Sequence, residues 1–268
     1  MNETRTPEYI HTRIWQEEPE PDNPFAARAA YCHGYDVFGE MLGKARWVEM
    51  VYLLFRGEAP SPQNADLLEA LAVALANPGP RDPSVHAAMC GGVCGSTAAA
   101  SLIAALAVGA GGYSGSREVL LALQGWVSCG TDLNQWRLQF SSKTAGTASI
   151  WPEAEHPPGF DPHGCSTTSV VKQTLTCLSR LSPGPHLRWL AENLPLLETA
   201  AGCPITWSGI AAATFHDLGL TPEQGEMLYL LLRLPGAAAH ALEQWGYGFR
   251  KFPFFPVELE NDPVEEKV

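Results

Sequence analysis

The stretch LLRLPGAAAHALEQ, residues 231–244, decides the fold, because it reads as a helix assembled from small residues with one polar group, His240, on its face. Such a surface lets another helix or a ligand approach very closely. The helix continues through Glu243 and Gln244 into Arg250 and Lys251, which are flanked by Phe249, Phe252, Phe254 and Phe255. Two readings of each feature are open. His240 is either a hydrogen-bonded core histidine or a ligand-binding one. The basic pair either clamps a carboxylate in a partly dry site, where a charge-assisted bond is strong, or snorkels at the surface.

The same small-residue character returns in GGVCGSTAAASLIAALAVGAGG, residues 91–112. Tight helix packing accounts for it, and a crossing at a symmetric dimer interface fits equally well. Apolar residues recur at three- and four-residue spacing over 46–55, 65–76, 96–108, 117–126, 169–181, 187–200, 209–218 and 225–245, which predicts helices there. Pro60 followed by Ser61-Pro62 predicts a stop and then an N-cap for a helix over 63–76, and Thr221-Pro222-Glu223-Gln224 predicts another capped start. Alternating strand patterns are almost absent, so the expected class is all-α. The longest non-periodic stretch, residues 141–168, is long for a compact domain and therefore a place to look for function.

A chain of 268 residues with 46% apolar content can bury one large core, or a large and a small one. Its net charge of −12, with only 17 Lys and Arg, leaves no basic stripe for phosphates, so no nucleic-acid partner is expected. The first 24 residues are acidic and proline-containing rather than basic and then apolar, and no later segment is an unbroken apolar span. A cytoplasmic protein without a membrane partner is expected. Seven cysteines, an odd number among apolar neighbours, suit buried thiols in a reducing compartment.

Three clusters carry candidate chemistry. His86, Cys90 and Cys94 are spaced by four and would align on one helix face as metal ligands, but Gly91-Gly92 makes a regular helix there doubtful and no second ligand pair follows; buried cysteines are the expected reading and no metal is expected. In EHPPGFDPHG, His156, Asp161 and His163 lie within eight residues. Two imidazoles beside a carboxylate can polarise a carbonyl or move a proton, while the prolines can equally make a rigid turn that Asp161 closes. GGYSGSREV, residues 111–119, lacks the GK[ST] ending of a phosphate loop and reads as a turn feeding a helix.

In order along the chain, GYDVFGEMLGKARWVEMVYLLFRGEAPSPQNADLLEALAVAL (34–75), GSTAAASLIAALAVGAGGYSGSREV (95–119), CPITWSGIAAATFHDLGL (203–220) and LLRLPGAAAHALEQ (231–244) resemble the citrate synthase superfamily, in particular its short branch of citryl-CoA lyases and the homologous module of ATP-citrate lyase. The resemblance implies an all-helical fold with a large domain, 1–122 with 224–268, and a smaller mobile one, 123–223, and sites near a homodimer interface. It implies a CoA thioester as cosubstrate, an oxo acid as partner substrate, no further cofactor, and Claisen-type making or breaking of a carbon–carbon bond. Such chemistry needs a base for a weakly acidic α-proton and a donor at the enolate oxygen.

Carried over residue by residue, the family's first histidine, in HGGA-x-E, falls on Tyr113, or on Ser114 with a one-residue shift. Its aspartate base falls on Ser208, and a serine at its ordinary pKa is no base without a partner. The second histidine corresponds to His156 or, on another alignment, to His163. His240 matches the AH..E histidine and Arg250 the arginine after that helix. The implied catalytic set is therefore His156, Tyr113, Ser208 and His163, and the substrate-binding set Arg250, His240, Ser114 and Arg117. Two other readings remain: a non-catalytic member of this superfamily that binds a ligand or partner, and an enzyme of altered chemistry that no longer uses CoA.

Overall fold

The computed structural model describes residues 10–141, 156–253, 255 and 256. Ten α-helices dominate the described residues, eight of them where the apolar periodicity predicts a helix and two, Pro83–Val93 and Leu133–Ser141, outside the predicted spans. A small antiparallel sheet precedes them: β1 (Trp15–Pro19), β2 (Ala27–Cys32) and β3 (Tyr35–Asp36), with Trp15 opposite Cys32, Glu18 opposite Ala29, and a bulge between Glu18 and Pro19. The sequence did not signal it. Strand β2 buries only Ala30 and Cys32, so its alternation is carried by small residues that look like helix formers.

The helices follow: α1 (Trp47–Arg56), α2 (Pro62–Leu75), α3 (Pro83–Val93), α4 (Ala98–Gly109), α5 (Ser116–Cys129), α6 (Leu133–Ser141), α7 (Ser169–Leu181), α8 (His186–Ala201), α9 (Trp207–Asp217) and α10 (Pro222–Tyr247). The two predicted starts are capped as their sequences require. Ser61 Oγ accepts from Asn64 N at 3.1 Å, and Thr221 and Gln224 bond reciprocally, Gln224 N donating to Thr221 Oγ1 at 3.3 Å and Thr221 N to Gln224 Oε1 at 2.9 Å. Helix α1 ends at Gly57, whose left-handed φ of 75° closes it. Among the described residues no helix is long and apolar enough to cross a membrane.

The chain packs as two compact units, Met1–Ala76 with Ala110–Leu232, and Asn77–Gly109 with Arg233–Val268. In the first unit, α9 runs through the core with Ile210, Ala211, Ala212, Ala213 and Phe215 wholly buried, surrounded by apolar side chains of α2, α5, α7 and α8. Burial of this kind stabilises by about 25 cal/mol per Å² of apolar surface removed from water.

In the second unit α3 and α4 pack as a hairpin beside the last turns of α10. The doubt that Gly91-Gly92 cast on a helix there is corrected: α3 runs through both, and both are there for closeness. A Cβ on Gly91 would sit 2.6 Å from Ser101 Oγ, and one on Gly92 2.3 Å from the Ala241 carbonyl oxygen. The expectation for the cysteines is corrected too. All seven are free, but only Cys32 and Cys129 are buried, while Cys94, Cys165 and Cys177 are exposed.

Candidate functional site

Glu118 organises the most polar part of the first unit. It lies in the first turn of α5 and is 2% exposed, a costly place for a carboxylate unless its oxygens accept hydrogen bonds. They do. Oε2 accepts from the Ser114 amide at 2.5 Å, and Oε1 accepts from the Gly159 amide at 3.0 Å and faces His156 Nε2 at 3.3 Å. One side chain therefore pins the turn before α5 and the segment beginning at His156.

The turn before α5 carries Tyr113 and Ser114. Ser114 has a left-handed φ of 55°, which the bond from its amide to Glu118 holds in place. Tyr113 is 60% exposed, and its ring stacks on the His156 imidazole with centroids 5.2 Å apart and planes at 28°. His156 itself is buried, and its Nδ1 has no hydrogen-bond partner among the described residues. Ser116 Oγ, at the start of α5, is likewise buried and unpartnered.

Gly159 joins this hub to the start of α9. Its φ is +91°, and a Cβ there would lie 2.8 Å from Gly209 Cα, so two glycine backbones meet where no side chain fits. The Gly159 carbonyl accepts from Thr206 N at 2.9 Å and from Thr206 Oγ1 at 3.0 Å. Thr206 Oγ1 is 2.6 Å from Ser208 Oγ. With the threonine proton committed to Gly159, Ser208 is the donor of this bond. The segment is closed by a bridge between Phe160 and Ile205 and by the Asp161 amide donating to the Pro204 carbonyl at 2.8 Å.

Four expected site residues, Tyr113, Ser114, His156 and Ser208, thus belong to one network. Ser208 is wholly buried and its proton is spoken for, so it acts as a strut between α9 and the glycine turn. His163 is exposed, and the Asp161 side chain closes the turn before it by accepting the His163 amide at 2.9 Å. Arg117 is exposed on α5. His240 and Arg250 belong to the second unit. There His240 Nε2 lies 3.1 Å from Asn77 Oδ1 and its Nδ1 3.5 Å from Glu243, while Arg250 is exposed in a short 3-10 turn, Phe249–Lys251. Beside it Lys251 Nζ sits 5.4 Å from the Tyr247 ring centre. His86, offered with Cys90 and Cys94 as metal ligands, packs instead against the Phe252 ring at 5.4 Å, and no described cluster of three such residues could hold a metal. Residues 142–155 of the loop singled out in the sequence lie outside the described residues.

Glu118 was missed as a site residue. The signal was present, since a glutamate three residues into a helix after a glycine- and serine-rich turn is the position that reaches back to a preceding amide. A second group was missed altogether: His186, His216 and Asp217. Asp217 accepts from His186 Nδ1 at 2.7 Å, Ser182 Oγ at 2.6 Å and the amides of His186 and Leu187 at 3.0 Å each. The two imidazoles stand 4.2 Å apart, both against Trp126. Burial first, and then the neighbouring His186, push His216 below the usual histidine range. Elsewhere, burial first, then the negative charges of Asp161 and Glu118, push the Cys203 thiol up.

The architecture is citrate synthase-like, and solved structures define it. A citryl-CoA lyase from Hydrogenobacter thermophilus superposes with a TM-score of 0.69 at 17% identity, covering 97% of this chain and 100% of that one. ATP citrate lyase from Methanosaeta concilii, in complex with (3S)-citryl-CoA, gives 0.72 at 16% identity, and that from Methanothrix soehngenii, in complex with citrate and coenzyme A, gives 0.70 at 17%. Each covers 98% of this chain, which spans 44% of those longer ones. At such identities the likeness is one of fold. No protein-family model and no curated protein matches the sequence.

Proposed function

We propose that the chain makes or breaks a carbon–carbon bond between a CoA thioester and an oxo acid, with Tyr113 and His156 as the groups nearest the reacting atoms. The observation that supports it most is the stacking of the two rings on each other, at 5.2 Å, with His156 held by a buried carboxylate, within a fold shared from end to end with a citryl-CoA lyase. The tyrosine hydroxyl can donate to an enolate oxygen and the imidazole can carry the proton, the two roles a Claisen step or its reverse requires. Arg250, His240, Ser114 and Arg117 are proposed to hold the carboxylates and the thioester, and His163 to assist from the exposed end of its turn. A cytoplasmic homodimer completes the proposal, with no cofactor beyond the thioester itself.

A second reading, a ligand-binding or partner protein without turnover, is favoured by Ser208. The residue at the position of the family's base is a buried donor to Thr206. Titration calorimetry with CoA and acetyl-CoA, each with and without oxaloacetate, tests the proposal. Heat from at least one pair is the expected result. Its absence from all four titrations overturns the reading as CoA-thioester chemistry.

A further inference from the structure

We infer that Glu118 is a positioning residue that fixes the tautomer of His156, and that Nδ1 of His156 is the proton-accepting atom of the site. The inference deepens the function proposed above and rests on it for the reaction, though not for the tautomer. A carboxylate only accepts hydrogen bonds, and Glu118 Oε1 stands 3.3 Å from Nε2, so Nε2 must carry its proton. Two backbone amides, Ser114 and Gly159, also donate to Glu118, so both of its oxygens are already acceptors. A neutral imidazole with Nε2 protonated leaves a lone pair on Nδ1. That nitrogen is buried and has no partner among the described residues, in a ring only 9% exposed.

A ring nitrogen with a free lone pair, on an imidazole held by its other nitrogen, is the atom of that ring able to accept a proton. The titratable groups that face it are Glu118 and Tyr113, stacked on the ring, and Cys203 lies within the fields of both Asp161 and Glu118. Ser208 cannot take the part, since its hydroxyl is a committed donor.

In the cleavage direction Nδ1 takes the proton of a tertiary hydroxyl β to the thioester carbonyl. The O–H electron pair becomes the second bond of a ketone as the carbon–carbon bond breaks. The electrons of that bond pass into the thioester enolate, whose oxygen Tyr113 can face; the enolate carbon then takes a proton from water, and the proton held on Nδ1 returns to the hydroxide so formed. Condensation is the same sequence reversed. Nδ1 is buried in this structure, so a substrate reaches it only by displacing the atoms around it.

The test is the ¹⁵N spectrum of the full chain labelled in its histidine rings, with His156 identified by the signals that H156N removes. The expected result is a single neutral tautomer, protonated at Nε2; E118Q, whose side-chain amide can donate as well as accept, should release the tautomer. A tautomer protonated at Nδ1, or two tautomers averaging as in a free imidazole, overturns the inference even if E118Q does not fold. For the reaction, E118Q should lower kcat for (3S)-citryl-CoA about 100-fold while changing KM little. An unchanged kcat in E118Q overturns the role of Nδ1. Absent turnover with the tautomer intact counts against the proposed function and leaves the tautomer assignment standing.

Discussion

Two histidine–carboxylate pairs lie in the same unit, one buried and one part-buried, and they differ in what is left over. Asp217 accepts four donors: two amides at the start of α8, the Ser182 hydroxyl and His186 Nδ1. It caps a helix, and its hydrogen-bonding capacity is full. Glu118 accepts two amides and one imidazole, yet the imidazole it orients keeps a buried nitrogen with no partner among the described residues. The same chemistry is closed in one place and open in the other. A saturated pair explains a fold, whereas an unsatisfied buried group invites a functional explanation.

The largest expected effect falls on the closed pair. Asp217→Ala strips the partners from two amides, a hydroxyl and an imidazole, and should cost about 3–5 kcal/mol, read from the urea midpoint; a loss under about 1 kcal/mol would dissolve the contrast. Gly209→Ala comes next. Its Cβ would lie 2.4 Å from the Gly159 carbonyl oxygen, so the glycine turn that feeds Glu118 must shift, at about 1–3 kcal/mol by the same measurement. Unchanged stability would mean that the two backbones are not held as close as described. Ser208→Ala removes one hydrogen bond from the strut and should cost about 1 kcal/mol; a loss of catalysis with no loss of stability would restore Ser208 to the reacting groups.

The smallest effect is a dependence on pH. His216 is held below its ordinary value of 6.5 by burial, so on acidification the unfolded chain takes up its proton first. Stability from this group is full above about pH 6.5 and declines below it until the folded-state value is passed. His216→Gln should flatten that part of the stability curve, and an unchanged slope would show that the pair with Asp217 shields it.

Most of the helical frame was legible, because apolar spacing and capping residues are local. Ser61 and Thr221 cap where their sequences require, and α7 runs from Ser169 to Leu181 as its periodicity predicts. What could not be read depends on distant partners. Gly91 and Gly92 look like helix breakers until Ser101 and Ala241 are seen against them. Strand β2 hides its alternation in alanines. The site was half legible. Tyr113, Ser114 and His156 were picked out by resemblance, but Glu118 was not, and its contacts with Gly159 and His156 span 41 and 38 residues.

The central claim is that His156, held by Glu118, does the chemistry of a CoA thioester. It is tested most directly by incubating the wild-type chain and His156→Asn with (3S)-citryl-CoA and following release of acetyl-CoA and oxaloacetate. The account predicts turnover by the wild type and a loss of about 100-fold or more in the variant at matched folded fraction. No product from the wild type, or equal rates from the two, would contradict it.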